Sequence, residues 1–323
     1  MWWDKPGKVV HKHDEQDPIP FMKMRWIGFL ISAIIIIGTT FSLYTQGLNM
    51  GLDFTGGVQV SDAQQTPFDV ELVRKQISDI GIKEPIVNRA DGGTTAIIRF
   101  QAADDADLDA LATKIHDALG PQTTIRERVQ VGGKVSGELF QGGVIASIMA
   151  LVCIAVYIWF RFERKFGLAA LITTFHDVYA IVGLFSVFKY FLPFDLTIVA
   201  GVLTLAGYSI NDKVVVFDRI REMLKKYKKI PLPKIIDISI TATLSRTLIT
   251  SLATLMAGGA MLFLGGPVLF GFAVSVCFGI VIGTYSSIFV AAPLLIHLPG
   301  RVPGQRWAGE GGTDAKNEAS VRA

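Results

Sequence analysis

The sequence predicts a polytopic α-helical membrane protein with six spans and one extracytoplasmic α+β domain. Three observations carry this fold class. Half of the 323 residues are hydrophobic and 18% are charged, and the mean hydropathy of +0.44 means more apolar surface than one water-soluble core uses. Six apolar stretches reach the length of about 20 residues that a helix needs to cross the hydrocarbon layer. The basic residues gather beside those stretches at alternate ends, as the positive-inside rule expects.

Residues 1–25 read as a polar cytoplasmic N-terminus carrying Lys8, Lys12, Lys23 and Arg25. A cleavable signal would start its apolar run earlier and end it in small residues, so the first span, 26–45, is expected to be a retained anchor. Residues 46–136 are the one sizeable soluble stretch. Residues 57–63 fit a strand, and 68–80 place Phe68, Leu72, Val73, Gln76, Ile77 and Ile80 at helical spacing between Pro67 and Gly81. Two short strands, 85–89 and 95–100, flank Ala90, Asp91, Gly92 and Gly93, a hairpin signal. A second amphipathic helix, 108–119, breaks at Gly120 and Pro121, and 123–131 alternates as a last strand. The order βαββαβ is that of a ferredoxin-like domain, a fold that by itself names no function.

The second membrane region, 139–297, holds spans at 139–160, 166–188, 194–217, 241–264 and 269–297. Arg161, Arg164 and Lys165 follow the second span, and a run from Arg219 through Lys228 and Lys229 to Lys234 follows the fourth. These loops are expected to be cytoplasmic, with both termini on that side and the 46–136 domain on the other. The tail, 298–323, is rich in Gly, Ala and charge and has the composition of a disordered cytoplasmic segment.

Composition also excludes. The net charge of +3 comes from basic residues beside apolar runs, where they are topology signals and not a nucleic-acid surface. Cys153 and Cys277 both lie inside apolar runs, so no disulfide framework and no metal site of short Cys spacing is expected. No P-loop, Gly-x-Ser-x-Gly elbow or His-Glu-x-x-His helix occurs, which points away from an enzyme and from a cofactor. An ion gradient is the remaining energy source.

Ionisable side chains inside a bilayer are costly and therefore candidates for function. Asp212, in the fourth span, lies six residues above Asp218, about 9 Å at 1.5 Å per residue. Thr204, Tyr208 and Asp212 share one helical face, and Asn211 adjoins it. The alternative to a functional role for this stripe is a structural hydrogen bond holding helices together. On the fifth span Thr243, Arg246, Thr247, Thr250, Ser251 and Thr254 form a second polar face at similar depth. Arg246 is expected to face Asp212 and tune its protonation, or else to be a snorkelling anchor. Lys213 is read as a snorkeller. His176 and Asp177 fall mid-way along the third span, where a relay and a packing hydrogen bond are equally open and no further residue completes a metal site. Gly271, Gly279 and Gly283 allow close helix approach.

Several collinear motifs resemble one family. Gly51, Leu52, Asp53, Phe54, Thr55, Gly56 and Gly57 look like the GLDFTGG signature of the SecD and SecF export proteins. Similar to the SecF branch are Phe160 to Glu163, Asp195 to Val199, Gly207 to Asp212, Arg219 to Glu222 and Ser245 to Ser251. The resemblance covers about residues 20–297, and one six-span chain with one domain resembles a separate SecF-type subunit more than a fused SecDF chain. It implies an RND-like half-transporter of the inner membrane that pairs with SecD and associates with SecYEG. Such a protein uses the proton motive force to promote preprotein translocation. It also implies that Asp212 and Arg246 match positions linked to proton conduction, with Thr204, Tyr208, Asn211, Thr247 and Thr250 beside them. Lys213 departs from the family pattern. Within the signature, Gly51, Gly56 and Gly57 are expected to supply turns and Asp53 to cap or fix the membrane junction. Two other functions stay open: a proton-coupled small-molecule exporter of the same superfamily, for which the domain is small, and a passive translocon scaffold, which leaves the intramembrane charges unexplained.

Overall fold

The computed structural model describes residues 18–298 other than 84, 91, 92, 103–105, 228 and 229. Lys8, Lys12, Asp91, Gly92, Lys228, Lys229 and the tail from 299 therefore lie outside the described residues. Among the described residues six helices are long and apolar enough to cross a membrane: Phe21–Thr45, Gly133–Arg161, Arg164–Val187, Leu196–Lys226, Leu232–Leu264 and Val268–His297. We label the α-helices α1 (Arg25–Thr45), α2 (Leu52–Thr55), α3 (Val70–Asp79), α4 (Leu108–Leu119), α5 (Gly133–Arg161), α6 (Arg164–Val187), α7 (Leu196–Lys226), α8 (Leu232–Leu264), α9 (Gly266–Ser286) and α10 (Ala292–His297). The strands are β1 (Gly57–Ala63), β2 (Ile86–Ala90), β3 (Thr95–Phe100) and β4 (Thr124–Val131).

Between α1 and α5 stands the expected βαββαβ unit. Its four strands run β2-β3-β1-β4, every neighbouring pair antiparallel. Val58 and Val60 of β1, Val87 of β2 and Ile98 of β3 meet Val73 and Ile77 of α3 and Ala112 and Ile115 of α4 in one core. Helix α3 starts at Val70, two residues later than the apolar pattern suggests. The cause is a cap: the Asp69 carboxylate accepts from the backbone N–H groups of Glu71 and Leu72.

Asp62 of β1 is an exception within this core. It is fully buried, sits where the β1–β4 register shifts, and neither carboxylate oxygen has a hydrogen-bond partner among the described residues. His116 Nδ1 lies 3.6 Å away and is itself 2.9 Å from the Thr123 hydroxyl. Burial pushes the Asp62 carboxyl up from the ordinary carboxylate range, against the opposing pull of His116. A raised folded-state pKa adds stability below the unfolded value near 3.9 and loses it as pH rises through the folded one. Asp62→Asn is therefore expected to stabilise the domain at pH 8, by roughly 1–3 kcal/mol, and to change little at pH 4. Hydrogen exchange of β1 and β4 in the full chain measures this, and equal effects at both pH values would contradict it.

The membrane helices depart from the apolar runs at the start of α5, which begins at Gly133 rather than 139, and more widely between the fourth and fifth spans. Helix α7 continues to Lys226 and α8 begins at Leu232, so much of the expected basic loop is helical. The extension is amphipathic, which a hydropathy window misses. Ile220, Met223, Leu224, Leu232, Ile235 and Ile236 are buried in one core with Phe162, Phe166 and Phe217, while the cations point out. Here Arg161 pairs with Asp218, and Arg221 reaches Glu163 at 3.7 Å and Asp218 at 3.5 Å. Two of the family-like motifs thus clasp each other at this end of the bundle. Close approach needs glycine at several crossings, and two are the tightest. Gly183 of α6 leaves room for Thr39 of α1, and Gly279 of α9 for Leu205 of α7.

Candidate functional site

Two carboxylates are buried side by side in the bundle. Asp212 on α7 is 6% exposed. Its Oδ1 accepts from the Thr247 hydroxyl of α8 at 2.9 Å, and its Oδ2 from the Ser287 hydroxyl at 2.7 Å. Ser287 has a second acceptor in reach, the Thr284 carbonyl at 2.9 Å. A hydroxyl has one hydrogen and two lone pairs. Ser287 can therefore donate to an Asp212 carboxylate, or turn its hydrogen to Thr284 and accept from an Asp212 carboxylic acid. Both protonation states of Asp212 are satisfied by one rotation of one hydroxyl. Beyond it, Tyr208 donates to Ser251 at 3.0 Å and Ser251 meets Thr284 at 2.8 Å, so hydroxyls continue along α7, α8 and α9.

Arg246 is not the partner of Asp212. It is exposed on α8 and makes no ion pair among the described residues. The reason is helical phase: Thr243, Thr247 and Ser251 recur every four residues and are buried, and residue 246 points about 100° away from 247. Thr250 shares the outward side, its hydroxyl donating to the Arg246 carbonyl at 2.9 Å. Thr204 and Asn211 are likewise exposed on α7, Thr204 donating to the Ala200 carbonyl. Of the expected pathway residues, Asp212, Thr247 and Tyr208 come together within the chain, whereas Thr204, Asn211, Arg246 and Thr250 face out of it.

The second carboxylate, Asp177 of α6, is fully buried and has its own cation. Lys213 Nζ lies 2.7 Å from Asp177 Oδ2, and Lys213 is also fully buried. Lys213 does not snorkel. From its face of α7 the nearest compensation is across the bundle, and pairing offsets the desolvation of both charges. The same Oδ2 accepts from Ser209 and, at 2.8 Å, from Ser286, while Oδ1 lies 3.0 Å from His176 Nδ1. Ser286 and Ser287, adjacent residues, thus serve Asp177 and Asp212 in turn. They stand where α9 gives way to a π-helical segment, Ser287–Ala291, a distortion that is frequent at functional sites. Sequence reasoning missed the Lys213–Asp177 pair and both serines. The visible signals were two opposite charges each otherwise too costly to bury, and a Ser-Ser doublet in an apolar run.

The glycine-rich signature forms a separate junction. The Gly51 N–H donates to the Phe194 carbonyl and the Phe194 N–H to the Asn49 carbonyl, both at 2.7 Å. Asp53 accepts from the Leu196 N–H at 3.1 Å, capping α7 across 143 residues. Phe54 packs on Phe140 and Phe194. Gly57 has φ +112, and an added Cβ would lie 2.5 Å from the Phe100 carbonyl oxygen. The motif ties the entrance of the β-sheet to the start of α7. Among the described residues no group of three His, Cys, Asp or Glu side chains could hold a metal ion.

Comparison with known proteins agrees with this architecture. Residues 111–301 match the family described as protein export membrane protein SecD/SecF, C-terminal, and residues 41–61 match the SecD/SecF GG motif. The protein translocase subunit SecF of Desulfurispirillum indicum is 40% identical over 288 residues, 86% of this chain and 91% of that one. Its counterpart from Haemophilus influenzae is 39% identical over 89% of this chain and 90% of its own length. The crystal structure of SecDF, a translocon-associated membrane protein from Thermus, superposes with a TM-score of 0.79 at 30% identity. That match covers 90% of this chain and 39% of the longer SecDF chain. A family model spanning more than half the residues, relatives matched over nearly their whole length and a solved structure superposing with a TM-score of 0.79 agree, and the chain belongs to the SecD/SecF family of protein export membrane proteins.

Proposed function

We propose that this chain is a SecF-type export subunit. It sits in the inner membrane with both termini cytoplasmic and its β-sheet domain periplasmic, pairs with a SecD-type half and works beside the SecYEG channel. It uses the proton motive force to promote preprotein translocation, and needs no cofactor beyond that gradient. The observation that carries the reading is Asp212: a buried intramembrane carboxylate with no cation of its own among the described residues, held by hydroxyls that suit either protonation state.

Pairing with a second half is supported by what the chain leaves uncovered. Arg246 on α8 and Asn211 on α7 present polar groups outward at membrane depth, which lipid alone would cover at high cost, while the outward hydroxyls of Thr204 and Thr250 are satisfied by their own helices. Two fused relatives fit the same arithmetic, since this chain matches 41% of the SecDF of Brucella abortus and 39% of the Thermus chain. In such a pair the outward Arg246 would meet an acid of the partner half, and the proton pathway would be completed between chains.

Inverted membrane vesicles supplied with ATP test the reading. Depleting this chain should remove the part of preprotein translocation that an imposed proton gradient adds; an unchanged gradient-dependent part would refute it. Sidedness is tested by thiol labelling of Lys83→Cys and Lys234→Cys in a cysteine-free background. Lys83 should label from the periplasm and Lys234 from the cytoplasm, and labelling from one side alone would overturn the orientation.

A further inference from the structure

His176 has a nitrogen that the arrangement above leaves unused. It lies 12 residues along α6 from Arg164, about 18 Å at 1.5 Å per residue, and is 6% exposed. Nδ1 faces Asp177 Oδ1 at 3.0 Å. The other oxygen of that carboxylate is occupied by the Lys213 ammonium at 2.7 Å and by the hydroxyls of Ser209 and Ser286. With an ammonium and two hydroxyl donors on Oδ2, Asp177 is held as an anion, and Oδ1 is an acceptor for a ring N–H. Nδ1 therefore carries the hydrogen of the neutral ring, and the lone pair is on Nε2. Nε2 is buried and has no hydrogen-bond partner among the described residues. A buried polar atom left without a partner calls for a reason.

A carboxylate that fixes the Nδ1–H tautomer and leaves Nε2 free is the arrangement of a histidine general base, in which the carboxylate also stabilises the imidazolium. We propose that His176 Nε2 is a second proton-accepting site in the membrane region, oriented by the Asp177–Lys213 pair and separate from Asp212. The proton comes from water and bonds to the Nε2 lone pair; Nδ1–H stays on Asp177, and no other bond changes. The cluster of His176, Asp177 and Lys213 then passes from neutral to a single positive charge. The ionisable groups around it are Asp177 on its own helix, Asp212 and Lys213 on α7, and Tyr285 on α9, whose hydroxyl meets the Gly28 carbonyl and Ser32. Helix α1 presents Ser32, Thr39 and Ser42 inward, and α5 is charged only toward its ends, at Lys134, Glu138 and Arg161. Because Lys213 follows Asp212 directly and Ser286 precedes Ser287, the two sites are neighbours.

The existence of this site is independent of the export reading; only its use in transport rests on it. The test is the nitrogen-15 spectrum of histidine-labelled full chain in nanodiscs, with the His176 signals assigned by their loss in His176→Gln. Nε2 should give an unprotonated imine signal at pH 8 that converts to an imidazolium signal as pH falls toward 5. In Asp177→Asn combined with Lys213→Gln, which leaves no unpaired charge, the midpoint should fall by at least about one unit, a tenfold weaker proton affinity. Nε2 already protonated at pH 8 with Nδ1 as the acceptor, no titration over this range, or an unmoved midpoint in the double variant would each overturn the proposal. If depleting this chain leaves gradient-driven export intact while His176 titrates as described, the export reading fails and this site stands.

Discussion

Asp212→Asn is expected to abolish gradient-driven export while leaving the chain folded and paired with its SecD-type partner. The amide keeps the shape of the acid. Its oxygen accepts from Thr247 as Oδ1 does, and its NH2 donates to Ser287, whose hydrogen turns to the Thr284 carbonyl. Every hydrogen bond survives, and only titration is lost. The part of translocation that the proton gradient adds should fall roughly 10²-fold or more, on the scale of losing a positioned proton-transfer group. ATP-driven translocation should persist. Comparing the two parts in inverted vesicles measures this, and an undiminished gradient effect would mean that Asp212 only holds α7, α8 and α9 together.

Lys213→Met is expected to have the largest effect on stability. It removes the cation from a fully buried carboxylate, leaving Asp177 with hydroxyls and His176 alone. Breaking one side of a buried ion pair costs about 3–5 kcal/mol. Asp177→Asn leaves the ammonium stranded at comparable cost. Removing both charges together is often close to neutral, so Asp177→Asn with Lys213→Met should recover most of the loss, a coupling of about 2 kcal/mol or more. Thermal unfolding of the full chain in nanodiscs gives the cycle. Additive losses would show that the two residues do not act as a pair.

How much of this was legible in the sequence differs by level. The six spans and the βαββαβ order follow from hydropathy and periodicity, because both signals are local. The helix caps Asp69 and Asp107, each accepting from N–H groups two and three residues on, are local as well, but apolar periodicity does not register them and so starts α3 two residues early. The overrun of α7 to Lys226 was hidden because its buried side chains, Ile220, Met223 and Leu224, are spaced among cations. At the site, depth and periodicity brought the right helices together: Thr247 does meet Asp212. They could not say which of two adjacent residues turns inward, and one residue is about 100° of helix. Arg246, the cation expected beside Asp212, turned out, and Lys213, expected to snorkel, turned in to pair with Asp177. Asp53 capping α7 from 143 residues away is likewise a tertiary fact. It agrees with a structural role for the signature while naming a helix that no local pattern points to.

The proton itself is the most direct readout of the central claim. Proteoliposomes containing this chain, a SecD-type partner and the SecYEG channel, with a pH-sensitive dye inside and a pH gradient imposed, report proton flux during preprotein translocation. Flux that rises with translocation in the wild-type chain and stays at the leak level in Asp212→Asn is the expected result. Equal flux in the two, with translocation running, would contradict a proton-carrying role for Asp212.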